Sequence, residues 1–536
     1  MTYFLINLII FRRLRFFIYR GMWRNLRNWS QSKSMHKIRE VLFNLHKTQI
    51  YNCDISSTLW NNKKFPNHKT VIQQLFVQKI GQLKLTQLLI STLYKKKNLI
   101  YPLPRNWQNS FQANEIIKVK INVFLSTLLF ISLITFSTVI NFLNAFLFII
   151  KITLKKIFQF YLKKNDKEYY AICNFPLQKA KLSEQISKYN IIDWLKKERG
   201  VENFVFLDPS ASGIKNINNS KIVNNINDIL LEDLNIINFI LDSTKYVLFC
   251  LIDLLFLRYG SLLLLGELLQ YSVVKNSNSK KINFMFVWTN NIYRPLWTYG
   301  VENTPEIFNL SIFGEIRDNL KNNLSYDFEG YFLSTWEIFN VWTIECKNFI
   351  EQRTKNKIKV NVVGLIYSYN NNVKIELPKN KKIIAIFPYE THRFSAGIST
   401  IGEYQNSDLF HLQKFFADII DCVKDDEIYL AIKRKKAFNS QLEKKYIRNI
   451  YEKLKNNNKI IYINHECSPY RLIEETNCTI SLPFTSTSVA ASFLNKKSIY
   501  YDPIKKLNMN DPSSCGIELI NQKNDLKKWI NSQFDI

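Results

Sequence analysis

From residue 360 onward, short apolar runs alternate with longer amphipathic ones, and this rhythm restricts the fold more than any other feature of the chain. Strands are predicted at 360–364, 382–387, 428–432, 459–463, 479–482 and 498–501, with helices such as 408–423 and 441–454 between them. Parallel strands cannot be joined by tight hairpins, so each crossover needs a helix, and the helices cover both faces of the sheet. Ligands of such sheets sit at the carboxyl ends of the strands, where the loops gather. Upstream, YYAICNF, ENFVFLDPS and INFMFVWTN read as further strands, with helical periodicity at 223–234.

Within this pattern, residues 468–503 (SPYRLIEETNCTISLPFTSTSVAASFLNKKSIYYDP) read as helix, strand, hydroxyl-rich turn, helix and strand. Ser468-Pro469 opens the first helix, Pro483 stops the strand, and Thr485, Ser486, Thr487 and Ser488 precede a small-residue run. A hydroxyl cluster at a strand-to-helix junction places free amides and the positive end of a helix dipole together, which suits a phosphate. The competing reading is that Ser486 or Thr487 simply caps the helix.

PFTSTS followed by KKSIYYDP resembles bacterial surface-polysaccharide biosynthesis proteins with a Pro-Phe-Thr-Ser motif, which are similar to the nucleotide-binding half of GT-B glycosyltransferases. The likeness takes in NIYRPLWTYGVEN, YFLSTWEIFNVW, KVNVVG, IAIFPYETHR and AIKRKK. It implies an α/β fold: a GT-B-like pair of Rossmann-type domains with an N-terminal helical, membrane-associated extension. The divisions expected are a basic helical region at 1–120, a hydrophobic membrane segment at 121–150, an acceptor domain at 168–365 and a donor domain at 366–536.

Candidate site residues cluster in the C-terminal half. Lys433 and Lys435 follow a strand, where cations can neutralise phosphate; an ordinary solvated loop is the alternative. The resemblance places His465 near the donor phosphate, although its Pro stands four positions later than in CMP-sugar enzymes. It also offers Ser468 at a helix start, and Glu474 or Glu475 as a ribose ligand. Arg471 and Glu474 share a helical face, so a surface ion pair is the competing account. His392 and Arg393 follow a strand, in a motif that departs from the family pattern at Pro388 and Thr391. Inverting transfer needs a base for the acceptor proton and positive charge for the departing phosphate. Glu302 is the first choice of base, His392 a second catalytic candidate, and Asp208 in FLDPS the alternative carboxylate. Trp297 and Tyr299 are expected either to stack on sugar or to pack in the core. With no DxD between strands, a metal-dependent GT-A mechanism is disfavoured, and no cofactor is expected beyond the donor itself.

Composition narrows the partners. The 536 residues carry a formal charge of +29, which draws the chain to anionic surfaces. No zinc-finger, helix-turn-helix or RNP pattern favours nucleic acid, so acidic lipid is preferred. Eight scattered cysteines without CxxC spacing fit a reducing compartment. Residues 121–150 hold no charge and exceed the roughly 20 residues of a span; Asn141 and Asn144 mark an interfacial or re-entrant portion. Residues 246–269 are broken by Asp253, Arg258 and Glu267 and read as core helices, with a membrane-surface helix as the minority alternative. The Arg- and aromatic-rich N-terminus suits a helix lying on anionic lipid or one packed on its own domain.

The expected function is transfer of a sugar from a nucleotide-activated donor, CMP-linked by resemblance, to a lipid-linked or polysaccharide acceptor. The expected location is the inner (cytoplasmic) membrane, with the catalytic domains on the cytoplasmic side. The alternatives are a CDP-polyol phosphotransferase of teichoic-acid type and a non-catalytic scaffold of polysaccharide assembly.

Overall fold

The computed structural model describes residues 65–76, 105, 108–109, 121–159, 169–173, 191–207, 216–217, 220–223, 226–256, 258, 260–277, 282–287, 293–308, 333–354, 357–366, 373–388, 409–423, 427–435, 450, 452, 454, 457–505 and 507–534. The Arg-rich N-terminus, Asp208, His392 and Arg393 lie outside them.

Two sheets organise the chain. The first contains β1 (Tyr169–Cys173), β2 (Phe204–Leu207), β3 (Asn216–Ile217), β4 (Ser220–Val223), β5 (Ile282–Val287), β6 (Glu306–Phe308), β7 (Ile338–Val341) and β8 (Lys359–Val362). Its order is β3-β4-β2-β1-β5-β6-β7-β8, parallel throughout except for the two-residue β3. The second contains β9 (Lys382–Phe387), β10 (Ile428–Lys433), β11 (Ile460–Ile463), β12 (Cys478–Ser481), β13 (Lys497–Tyr501) and β14 (Glu518–Ile520), in the order β11-β10-β9-β12-β13-β14. Renumbered within itself, the second sheet reads 3-2-1-4-5-6, the doubly wound order of Rossmann folds. The first repeats that order from β4 to β8. The architecture is therefore a pair of parallel α/β units.

Burial alternates along the strands because helices cover both faces. Ala171, Cys173, Phe284 and Phe286 join one apolar cluster, while Ile172, Phe206, Met285 and Val287 join another on the opposite face. In the second sheet, Ala385, Phe387, Ala431 and Tyr500 belong to the same cluster as the first sheet's inner residues. Ile384, Ile386, Ile432 and Ile480 form a separate core against the other helices. One continuous apolar core thus ties the two units together. Thr343 and Cys515 meet across the junction, with the threonine hydroxyl donating to Sγ at 3.5 Å.

The helices are α1 (His68–Phe76), α2 (Val123–Gln159), α3 (Ile191–Arg199), α4 (Ile236–Leu255), α5 (Gly260–Lys275), α6 (Ile344–Arg353), α7 (Leu409–Cys422), α8 (Pro469–Glu475), α9 (Ser486–Phe493) and α10 (Lys523–Ser532). The hydrophobic helix α2 runs nine residues beyond the expected end at 150. Lys156 is accommodated there because its ammonium donates to the carbonyls of Leu231 and Glu232. By length and composition, residues 138–158 would suffice to cross a membrane. The stretch expected as core helices divides into α4 and α5. α5 is buried as expected, with Leu264, Leu265, Leu268 and Leu269 inaccessible, whereas α4 leaves an apolar face exposed. Gly300 allows the chain to pass close to α5, since a Cβ there would come within 3.0 Å of the Tyr271 ring.

Candidate functional site

The carboxyl ends of β9 and β12 lie side by side at the switch point, where one strand leads left across the sheet and the other right. Ser481 is in register with Phe387, and the amide of Leu482 donates to the Phe387 carbonyl at 3.1 Å. The chain then passes through Leu482, Pro483 and Phe484 into α9. Phe484 takes a left-handed conformation (φ +42°), rare for a bulky residue. It is held there by burial and by an edge-on contact with Tyr500, ring centroids 5.5 Å apart. The Tyr500 hydroxyl donates to the Thr485 carbonyl at 2.7 Å, fixing the turn to β13.

The cap of α9 is Thr485, not Ser486 or Thr487, and its side chain makes no capping hydrogen bond. The Thr485 hydroxyl instead lies 2.9 Å from that of Thr487, which lies 3.1 Å from that of Ser481. These hydroxyls, with half-buried Ser486, border a helix mouth whose first amides gain nothing from the cap residue. Ser488 behaves differently. It is fully buried, donates to the Ile499 carbonyl at 3.3 Å, and accepts from Ser498 through its own carbonyl at 3.0 Å. Of the four consecutive alcohols, the last therefore stitches helix to sheet. Ala490 and Ala491, also fully buried, permit that close approach.

Lys433 ends β10 on the same edge of the sheet. It is 6% exposed, and its ammonium donates to the carbonyls of Arg434 at 3.2 Å and His465 at 3.3 Å. Lys433 and half-buried His465 are thus brought together, whereas Lys435 is exposed beyond them. Ser468 is completely buried as the cap of α8, accepting from the Arg471 amide. Its hydroxyl faces its own helix and not an open cleft. Arg471 pairs with Glu475 at 3.3 Å and donates to the Val373 carbonyl at 3.1 Å, so its partner is one residue beyond the Glu474 expected from sequence. Glu474 is exposed. α8 lies against α9, which sets this group beside the hydroxyl turn.

Glu302 is placed elsewhere. It is exposed just before β6, and its neighbour Asn303 donates to the carbonyl of Ile282, the first residue of β5. That is the amino edge of the first sheet, opposite the loops that face a ligand in doubly wound folds. The aromatic pair of the same motif is structural: Trp297 packs on Phe284 and Phe286, and Tyr299 donates to Thr335 at 2.7 Å beneath the Arg294 guanidinium. Sequence reasoning missed Ser481 and Tyr500, although Tyr500 stands in the KKSIYYDP segment that carries the resemblance.

The profile of a family described as "Polysaccharide biosynthesis PFTS motif protein" matches residues 249–530. No curated protein matches the chain. Among solved structures, it is similar to a UDP-forming α,α-trehalose-phosphate synthase from Burkholderia xenovorans, with 9% identity and TM-score 0.37, covering 69% of this chain and 91% of that one. A structure from E. coli, described as trehalose-6-phosphate bound with UDP-2-fluoro glucose, aligns at 9% identity and TM-score 0.35 over 69% and 90%. TarM aligns at 12% identity and TM-score 0.29 over 50% and 51%.

Proposed function

The chain belongs to the polysaccharide biosynthesis PFTS motif family, and from that premise we propose that it is a glycosyltransferase of bacterial surface-polysaccharide assembly. One observation carries this reading: the PFTS turn occupies the switch point of a 3-2-1-4-5-6 sheet, with a helix mouth bordered by hydroxyls. A nucleotide-activated sugar would place its phosphate there, held by main-chain amides of α9 and by Ser486 and Thr487. Lys433, with Arg434 and Lys435 beside it, supplies positive charge for the departing nucleotide. Among donors we place a CMP-linked acidic sugar first, because the same cations would complement its carboxylate. The proposed acceptor is lipid-linked or a growing polysaccharide, met at the cytoplasmic face of the inner membrane. The long apolar helix α2 and the +29 charge support that placement.

Isothermal titration with CMP, CDP and UDP tests the reading. The wild type should bind CMP, and Ser486→Ala combined with Thr487→Ala should weaken binding while the fold survives, since lost caps cost only about 0.5–2 kcal/mol each. Selective UDP binding would retain the transferase and replace the donor. A folded protein that binds no nucleotide would leave the scaffold reading in its place.

A further inference from the structure

We propose that α2 and α4 together seat the protein in the plane of an anionic lipid bilayer, so that α2 lies on the membrane without crossing it. The inference deepens the membrane placement above and does not depend on sugar transfer.

The second half of α2 has two unlike faces. Thr138, Ala145 and Ile152 are buried at helical spacing, and Asn141 on the same face donates to the Leu262 carbonyl of α5 at 3.0 Å. Lys156 closes the row with its two 2.8 Å bonds to the carbonyls of Leu231 and Glu232. From Thr138 to Lys156 the helix therefore lies flush against the first α/β unit for about 27 Å at 1.5 Å per residue. A hydrocarbon core is about 30 Å thick. If α2 crossed it, α4 and α5 would be carried through as well, together with the 2.8 Å ion pair between Lys275 and Asp242. Moving such a pair out of water is costly.

The opposite face of α2 is apolar and exposed, including Leu143, Leu147, Leu154 and Phe158. Beside it, α4 presents a second apolar stripe. Ile237 is 67% exposed, Leu241 63%, Leu248 55% and Leu255 82%, at intervals that keep them on one side of the helix. Two packed helices that both turn apolar faces outward form a surface larger than scattered exposed leucines would make.

The charges on these helices select the occupant. Exposed cations are Lys151 on α2 and Lys245 on α4. The carboxylates of α4 are used inward: Asp242 accepts from Lys275 and Asn276, and fully buried Asp253 lies 3.9 Å from Arg258. An apolar face fringed by lysine fits acidic headgroups above acyl chains, with the lysine stems lying along the apolar layer. A second copy would instead set lysine against lysine.

The test is sedimentation of the full chain, diluted from mild detergent, with vesicles of pure phosphatidylcholine or of two parts phosphatidylcholine to one part phosphatidylglycerol. Wild type should pellet preferentially with the second kind. Leu248→Glu combined with Leu255→Glu should raise the lipid needed for half-binding by about ten-fold or more, with nucleotide affinity and far-UV circular dichroism unchanged. Retained nucleotide binding separates failure of this proposal from failure of the transferase reading. On wild-type protein bound to vesicles, trypsin added outside should cut both before residue 121 and after residue 159. Protection of the sites before 121 would show a crossing and overturn the proposal. So would wild-type vesicle binding by the double variant, or a loss of binding explained by disruption of a dimer in light scattering.

Discussion

Removing the Tyr500 hydroxyl isolates the contact that holds the PFTS turn. Tyr500 is fully buried, and its oxygen donates to the Thr485 carbonyl at 2.7 Å, while its ring packs on Phe484. Tyr500→Phe keeps the ring and deletes one hydrogen bond, which costs about 1–2 kcal/mol where a half-buried carbonyl loses its donor. For a unit of this size each kcal/mol shifts the melting temperature by about 2–4 °C, so the expected fall is about 2–8 °C. If the phosphate turn must then be re-formed on binding, the same free energy weakens nucleotide affinity by about 5–30-fold. Tyr500→Leu should do worse on both counts, because Phe484 also loses the ring that keeps it at positive φ. Thermal melting and titration with CMP and UDP measure the two effects separately. A Tyr500→Phe protein with the wild-type melting temperature and wild-type affinity would show that β13 does not hold the turn.

Two further predictions concern packing and pH. Buried Arg294 contacts Glu337 at 2.6 Å, the Thr335 carbonyl at 3.1 Å and the Tyr299 ring at 4.0 Å. Arg294→Ala should therefore cost about 3–5 kcal/mol in denaturant unfolding. Glu337→Gln, at a carboxylate more than half exposed and screened by solvent, should cost only about 1–2 kcal/mol. The Cys478 thiol is pushed up to about 12 by burial, from an ordinary 9.0. The unfolded chain releases that proton first as pH rises, so the associated stability is complete below about 9 and is lost towards 12. The slope is at most about 1.4 kcal/mol per pH unit. Cys478→Ala should remove that component from the alkaline side of a pH–stability curve.

The second sheet was legible because its strands are buried on both faces and therefore read as short apolar runs bounded by polar turns. Each expected strand from 360 to 501 has a counterpart in the sheets, within about two residues. Side-chain roles were less legible. Ser468 reads correctly as a helix start, but only the burial of its hydroxyl shows that the cap consumes it. Arg471 can reach residue 474 or 475 by helical spacing, and the structure takes the second because the guanidinium also reaches across to Val373. Ser488 is indistinguishable in sequence from the alcohols before it. It differs because one more residue along α9 turns its side chain onto β13. The end of the apolar segment was misjudged because Lys156 finds carbonyl acceptors on a segment some 75 positions later, which no local pattern reveals.

The same reasoning decides between carboxylates for the acceptor proton. Glu302 was favoured because it belongs to a matching motif, yet chain direction puts it before β6, beside the first residue of β5. A parallel sheet makes the two edges chemically unlike: residues following strands can meet the second unit's site, and residues preceding them cannot. Asp208 lies outside the described residues, but in sequence it immediately follows Leu207, the last residue of β2. With an assay of sugar transfer in hand, Asp208→Asn should reduce kcat by at least about 100-fold, the usual scale of a lost general base, and Glu302→Gln should leave it within about two-fold. The affinity for nucleotide should be unchanged in both, because neither carboxylate adjoins the α9 turn. The reverse ranking would mean that the acceptor approaches the amino edge of the first sheet, and the assignment of the cleft from strand direction would fail.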